Sequence, residues 1–296
     1  MTNALEPSSQ YAAADAASQA DRTAPGQAPA PWQHAPVWDC HVHVFDAAEP
    51  VLPGHYGVTT NSIQTLQAIA GRHHVGHLVL VQPSVYGGNH RLLLDALEQS
   101  GGRHRGVIVA APGLSAGTLD HMHELGVRGV RVNLVSPVGN EWRPVESMLP
   151  HLRRLGWHVE WYAKPEHLPT VIRLHDAWQV PCVLAHLAGL TARDCADAPL
   201  WRHMDALAAL GAWIKISAMY RLDAEPPYRE LDPLLRRLGA LFEGRLVWGS
   251  DWPHTSLPGD RKPPYADLWT AVQRVLPDQL QAILAVNPLR LYCAGA

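Results

Sequence analysis

The sequence predicts one α/β domain over residues 35–296, a closed (β/α)₈ barrel, behind a disordered leader at residues 1–34. Three observations carry this reading. Short apolar, β-branched runs recur eight times, each followed by a longer stretch of helical periodicity. No linker or composition break divides residues 35–296. Apolar residues make up 47% of the 296-residue chain and charged residues only 17%, the balance of a large buried core.

The leader is rich in Ala, Ser, Gln and Pro and poor in large apolar residues, too little to offset its ordering entropy. The first strand is WDCHVHVF (38–45); it is followed by HLVLVQP (77–83), GVIVAAP (106–112) and VRGVRVNL (127–134). WHVEWYA (157–163), PCVLAHL (181–187), AWIKISA (212–218) and RLVWGSD (245–251) complete the set. Their starts lie 21 to 39 residues apart, room for a helix after each strand and so for parallel βαβ units. HRLLLDALEQSG (90–101) and LDPLLRRLGALFEG (231–244) show the helical pattern, each ending at a glycine stop. An open dinucleotide-binding sheet needs a Gly-rich turn after its first strand, and here that strand ends His-Val-His-Val-Phe-Asp.

Lys and Arg number 24 against 27 Asp and Glu, so there is no basic excess to recruit nucleic acid or an anionic membrane. The four cysteines, Cys40, Cys182, Cys195 and Cys293, are widely spaced and read as reduced, buried thiols. No apolar run approaches the ~18 residues of a membrane span, and the N-terminus lacks the pattern of a secretory signal. A cytoplasmic protein is expected, with a small-molecule substrate as its partner and homo-oligomer formation left open.

The 18 histidines draw attention to proton transfer and metal ligation. Strict alternation along the first strand puts Asp39, His41 and His43 on one face, with Cys40, Val42 and Val44 packing towards helices. On the eighth run Val247, Gly249 and Asp251 share a face, so Asp251 ends the strand that closes the barrel beside His41 and His43. His186 ends the sixth run at the same rim, where barrels of this kind build their active sites. His254 lies just past Asp251, while His73, His74, His121 and His123 fall on helices or loops and read as solvated. Ser84, Arg131 with Asn133, Glu160 with Tyr162, and Lys215 with Ser217 and Arg221 add polar groups at other strand ends. For Arg131 and Arg221 the choice is between a substrate carboxylate and a rim salt bridge. For Glu160 and Lys215 an ion pair inside the barrel is the simpler reading.

Taken in this order, DCHVHVFD, VQPSVYG, RGVRVNL, GWHVEWYA, VLAHLAGL, WIKISAMYR, VWGSDWPH and NPLRLY resemble the amidohydrolase superfamily, in its amidohydrolase-2 branch. Within it the chain is similar to the group of 2-pyrone-4,6-dicarboxylate lactonases and related sugar-lactone and muconolactone hydrolases, over about residues 36–293. The resemblance implies a distorted TIM barrel and hydrolysis of a lactone or related ester. It implies that Asp251 activates water and that His41, His43 and His186 polarise the carbonyl or hold a metal. Ser84, Arg131, Tyr162 and Arg221 match substrate-contacting positions. Two further arginines of the pyrone-dicarboxylate group would fall near Pro137 and Gly189, which points to a substrate with fewer carboxylates. No cofactor is required by this resemblance; the alternative is one divalent metal, Zn²⁺, on His41, His43, His186 and Asp251. The expected mechanism has the histidines donating to the carbonyl oxygen while Asp251 takes a proton from the attacking water. Alternatives are a mononuclear zinc-dependent decarboxylase of the same superfamily and a catalytically silent small-molecule-binding barrel.

Overall fold

A computed structural model describes residues 37–53, 58–135, 142–255 and 257–293. The expected leader and Pro137 lie outside the described residues. Eight strands form one parallel sheet in sequence order: β1 (Val37–Val42), β2 (Val75–Val81), β3 (Arg105–Val109), β4 (Val127–Asn133), β5 (His158–Tyr162), β6 (Cys182–Leu184), β7 (Trp213–Ile216) and β8 (Leu246–Trp248). Every predicted run overlaps one of them, although β1, β2 and β3 begin one or two residues before their runs.

Helices follow the strands in turn: α1 (Ile63–Arg72), α2 (Arg91–Gln99), α3 (Ala116–Leu125), α4 (Arg143–Leu155), α5 (Leu168–Trp178), α6 (Ala198–Ala209), α7 (Asp232–Leu241), α8 (Thr270–Val275) and α9 (Asn287–Tyr292). Ser62 and Ser115 cap α1 and α3 by accepting N–H bonds from the third residue on, as short polar residues at helix starts do. The stop glycines Gly101 and Gly244 lie just beyond α2 and α7, both at positive φ. No helix among the described residues is long and apolar enough to cross a membrane.

The sheet closes through loops. Asp251 N–H donates to His41 O (2.8 Å) and His43 N–H to Trp252 O (2.9 Å), joining the end of β1 to the segment after β8. Outward faces of the strands (Leu78, Leu80, Ile108, Val130, Val159) pack on the apolar stripes of the helices (Leu66, Leu97, Leu119, Leu152, Leu238) in one continuous core. A second cluster fills the barrel itself: Trp38, Cys40, Val79, Val81, Val107, Val247 and Tyr292, the last supplied by α9.

This corrects the face assignment in β1. Asp39 pairs with Leu78 but Val42 pairs with Leu80, so β1 carries one extra residue between them. Such a bulge interrupts alternation. Cys40 therefore joins the interior cluster instead of packing towards helices, and the Asp39 carboxylate accepts from Ser250 N–H (2.8 Å) and Tyr265 O–H (2.7 Å). Val42 and Val44 do belong to the helix-side core. Of the cysteines, Cys40 and Cys182 are buried, but Cys195 and Cys293 are part-exposed; all four are free thiols. His123 is not simply solvated: it accepts a bond from Trp157 Nε1–H (3.0 Å) and stacks on that ring. His73 likewise stacks on Tyr265.

Two glycines let the inner layers close. A Cβ on Gly129 would stand 2.6 Å from the His158 ring, and one on Gly249 would stand 2.6 Å from His41 Cβ and 2.7 Å from His41 N. Gly249→Ala is expected to cost about 1–3 kcal/mol through this overpacking against β1. Urea unfolding checks it: an unchanged midpoint would show that β1 and β8 do not abut as described.

Candidate active site

Four of the side chains singled out in the sequence meet where β1, β6 and β8 end. His41 and His43 come from β1 and its extension, and His186 opens a 3₁₀ turn (His186–Gly189) after β6. Asp251 lies three residues past β8, not within it, at φ 60°. Left-handed φ at a non-glycine residue costs of order 1–3 kcal/mol and gathers at functional sites. His186 (φ 54°) and His254 (φ 60°) share the feature.

Asp251 Oδ1 is the common point. It stands 3.2 Å from His43 Nε2, 3.6 Å from His41 Nε2 and 4.0 Å from His186 Nε2. Its other oxygen, Oδ2, accepts from Tyr220 O–H (2.5 Å) and Arg221 Nε–H (3.1 Å). Burial works to raise the Asp251 carboxyl. Arg221, His186, His43 and His41 outweigh it and hold the group well below the usual carboxylate range. Burial pushes His41 down to about 4 and His186 well below its ordinary value, so both rings are neutral near pH 7.

Behind the histidines their other nitrogens face polar atoms, bonded for His43 and His186 and at ion-pair distance, off hydrogen-bond alignment, for His41. His43 Nδ1–H donates to Val81 O (2.7 Å), His186 Nδ1 meets Ser217 Oγ (2.8 Å), and His41 Nδ1 lies 3.2 Å from Glu160 Oε1. With Nδ1 protonated, a neutral His43 turns a bare lone pair on Nε2 towards the anionic Oδ1. Two electron-pair donors at 3.2 Å need a proton or a cation between them. The expectation that His43 donates from Nε2 to a carbonyl therefore requires a second proton on the ring.

The same convergence is a test of metal fit. One ligand atom each from His41, His43 and Asp251 lie within 4.8 Å of one another. Ligands about 2.0–2.1 Å from one zinc stand roughly 3–4 Å apart, the range of the separations from Asp251 Oδ1 to His43 and His41. The second contacts behind each ring are those that orient metal-binding imidazoles. The donor set fits one divalent cation.

Below this centre the predicted interior ion pair is present. Lys215 Nζ stands 2.5 Å from Glu160 Oε2 and donates to Cys40 O (2.6 Å), with both side chains fully buried. Burial works to raise Glu160, and Lys215 and His41 overcome it, keeping the carboxyl well below its normal range.

At the rim, Arg131 is buried on β4. Its Nη1–H donates to Gln82 O (3.0 Å) and its Nε has no hydrogen-bond partner among the described residues. Among the described residues no carboxylate lies within ion-pair distance of it. Asn133 Nδ2–H donates to Ser84 Oγ (2.9 Å), and Tyr162 stands edge-on to His186 with ring centroids 4.6 Å apart. Arg221 is committed to Asp251, so for this arginine the ion-pair reading describes the geometry. His254 is buried against Tyr220, and burial lowers it to about 4. Tyr220 escaped the sequence reading because it sits in a 3₁₀ turn past β7, where strand alternation has no hold; its adjacency to Arg221 was the only available sign.

A (β/α)₈ barrel with a trihistidine–carboxylate centre at its C-terminal mouth defines a class of enzyme scaffold. Comparison then places this chain within it: a model of the amidohydrolase family, Amidohydro_2, matches residues 38–293, and the protein belongs to that family. It is 29% identical over 280 residues to a 2-pyrone-4,6-dicarboxylate hydrolase of Comamonas testosteroni, covering 86% of this chain and 89% of that one. It is 28% identical over 267 residues to a 4-sulfomuconolactone hydrolase of Rhizobium radiobacter, with the same coverages. A crystal structure from Pseudomonas putida, provisionally named a 2-pyrone-4,6-dicarboxylic acid hydrolase, superposes with a TM-score of 0.75 at 28% identity. It covers 89% of this chain and 99% of its own.

Burial makes the fold acid-sensitive. His104, His158 and His175, away from the centre, are each pushed from 6.5 to about 4 by burial. The unfolded chain binds their protons more readily, so stability present above pH 6.5 is lost as pH falls towards 4. Burial raises Asp39 to about 6, which acts in the opposite sense between 3.8 and 6, one group against three. Urea unfolding at pH 7, 6 and 5 is expected to show a net loss on the order of a few kcal/mol. A flat profile would contradict the buried, neutral state of these rings.

Proposed function

We propose that the protein opens the ring of a lactone, or a related ester, of a small anionic metabolite. The observation that carries this is the arrangement of Asp251: one oxygen held by Tyr220 and Arg221, the other facing three imidazoles at the barrel mouth. The naming of relatives as lactone hydrolases supports the reaction class.

The residues divide the work as follows. Tyr220 and Arg221 saturate Oδ2 and so leave Oδ1 as the basic atom. Oδ1 takes the proton of the water that attacks the carbonyl carbon. After the ring C–O bond breaks, the same carboxyl returns that proton to the leaving oxygen. A positioned base of this kind contributes ~10²–10⁴ in rate. Arg131 anchors an anionic substituent: a buried guanidinium with no carboxylate beside it among the described residues is costly until a ligand supplies one. Ser84 and Tyr162 line the same side of the mouth and orient the ring.

Asp251 Oδ1 stands 3.2 Å from His43 Nε2 and 3.6 Å from His41 Nε2. Together with the converging lone pairs, this favours a cation-holding centre over the cofactor-free one expected from the sequence. His41, His43 and Asp251 would hold the ion, while His186, expected as a fourth ligand, stands 4.0 Å from Asp251 Oδ1 outside that set. When bound, such a cation acidifies water and polarises a carbonyl oxygen.

Gly189 supports a substrate with fewer carboxylates than the pyrone dicarboxylate. At φ +70° and with a would-be Cβ 2.5 Å from Ala163 O, position 189 accepts no side chain, and so no arginine.

The test is a hydrolysis screen of lactones bearing one or two carboxylates, read by acid release, with chelator-treated and Zn²⁺-reconstituted protein. Ring opening of monoanionic lactones, restored by Zn²⁺ after stripping, is expected. Asp251→Asn is expected to lower kcat/KM by ~10²–10⁴ while leaving the fold intact. Near-normal turnover in folded Asp251→Asn rejects the mechanism, and tight binding without ring opening across the panel supports a silent binding barrel instead.

Arg131→Met is expected to raise KM for anionic lactones roughly 10–100-fold, the worth of a charged hydrogen bond, and to leave neutral lactones unaffected. Equal effects on both would remove Arg131 from anion recognition.

A further inference from the structure

Glu160 lies one layer beneath the reacting groups, fully buried, on the strand opposite β1. Its two oxygens meet different partners: Oε2 is 2.5 Å from Lys215 Nζ and Oε1 is 3.2 Å from His41 Nδ1. Lys215 is anchored in turn by Cys40 O and stands over the Tyr292 ring, 5.8 Å from its centroid. An ammonium group only donates, and Oε2 is the carboxylate oxygen it pairs with, at ion-pair distance though off hydrogen-bond alignment. Were Glu160 protonated, Lys215 would be left in a dry interior without an anion in reach among the described residues. Oε1 is therefore an acceptor too, and the nitrogen facing it carries the proton.

We propose that Glu160, clamped by Lys215, is a positioning residue that fixes the His41 proton on Nδ1 and turns the Nε2 lone pair towards Asp251. The inference goes beyond the ring-opening reading and rests on it only for the activity measured below. It concerns the tautomer of one ring, which three elements distant in sequence determine together. β5 supplies the acceptor, β7 supplies the cation that orients it, and the bulge in β1 brings His41 onto the interior side. His41 is thereby an electron-pair donor to whatever enters the mouth, a proton or a divalent cation, and not a hydrogen-bond donor.

The test uses the full-length protein labelled with ¹⁵N-histidine. Long-range ¹H–¹⁵N spectra report which ring nitrogen bears hydrogen, and the His41 signals are assigned by their loss in His41→Asn. Wild-type protein, stripped of metal, is expected to show His41 protonated on Nδ1. Glu160→Gln is expected to reverse it. Lys215 keeps hold of the amide oxygen, so the amide N–H₂ faces Nδ1 and the ring proton moves to Nε2.

Zn²⁺ affinity, read by competition with a chromogenic chelator, should then fall ~10–100-fold, as should kcat/KM. A wild-type ring protonated on Nε2 overturns the proposal, whether or not the variant folds. A folded Glu160→Gln protein with unchanged tautomer and Zn²⁺ affinity overturns it as well. A tautomer that reverses in a protein opening no lactone leaves this assignment standing and removes the ring-opening one.

Discussion

The Lys215–Glu160 ion pair is the constraint on which the rest of the centre depends. It lies in the barrel interior, closed from below by Tyr292 and Trp38, with both side chains fully buried. Ion pairs in such places seldom add much stability, because desolvation offsets their attraction, but breaking one partner is costly. What the pair provides is direction. From it a column of buried groups runs upward through His41 to Asp251 and ends at the half-buried Arg221, with cationic, anionic, neutral, anionic and cationic members in turn. Each charge has a neighbour of opposite sign except where Oδ1 faces three imidazole nitrogens.

That exception is held in place by backbone geometry. Asp251, His254, His186, Leu187 and Ala188 all adopt positive φ, and all lie just beyond the ends of β6 and β8. Residues so strained persist only where surrounding contacts over-determine them. The closing bond from Asp251 N–H to His41 O, the absence of a side chain at Gly249 and the packing of Trp252 provide that determination. Barrel closure and site geometry are thus one structural problem: the bonds that join the end of β1 to the segment after β8 also set the distance between His43 and Asp251.

The sequence exposed the repeating units well, because strand runs and helical stretches differ in period and length. It also exposed the residues at strand ends, since the barrel brings all C-terminal ends to one rim. It did not expose the bulge between Asp39 and Val42. Alternation assumes one residue per step, and an inserted residue leaves no compositional mark; Asp39 was therefore placed beside His41 when it faces the Tyr265 segment. Tyr220 and the pairing of Arg221 with Asp251 were hidden for a related reason, lying in a turn whose direction depends on tertiary packing. Proton positions are hidden further still. His41 and His43 are indistinguishable as letters, yet one backs onto a carboxylate and the other onto a carbonyl.

The distribution of charge at the mouth carries the argument about ligand one step further. Arg221 is matched by Asp251, and Lys215 by Glu160, so neither has a charge to spare for a substrate. Arg131 remains, buried, with one N–H on a carbonyl and no described carboxylate beside it. A protein interior tolerates such a cation when a ligand completes it. The backbone at Gly189 leaves no room for a second guanidinium there. On the ring-opening reading proposed above, one positive charge unmatched among the described residues, beside a centre of converging lone pairs, would select for a substrate with one anionic group and one electrophilic carbonyl. The chemistry and the selectivity follow from the same accounting of buried charge.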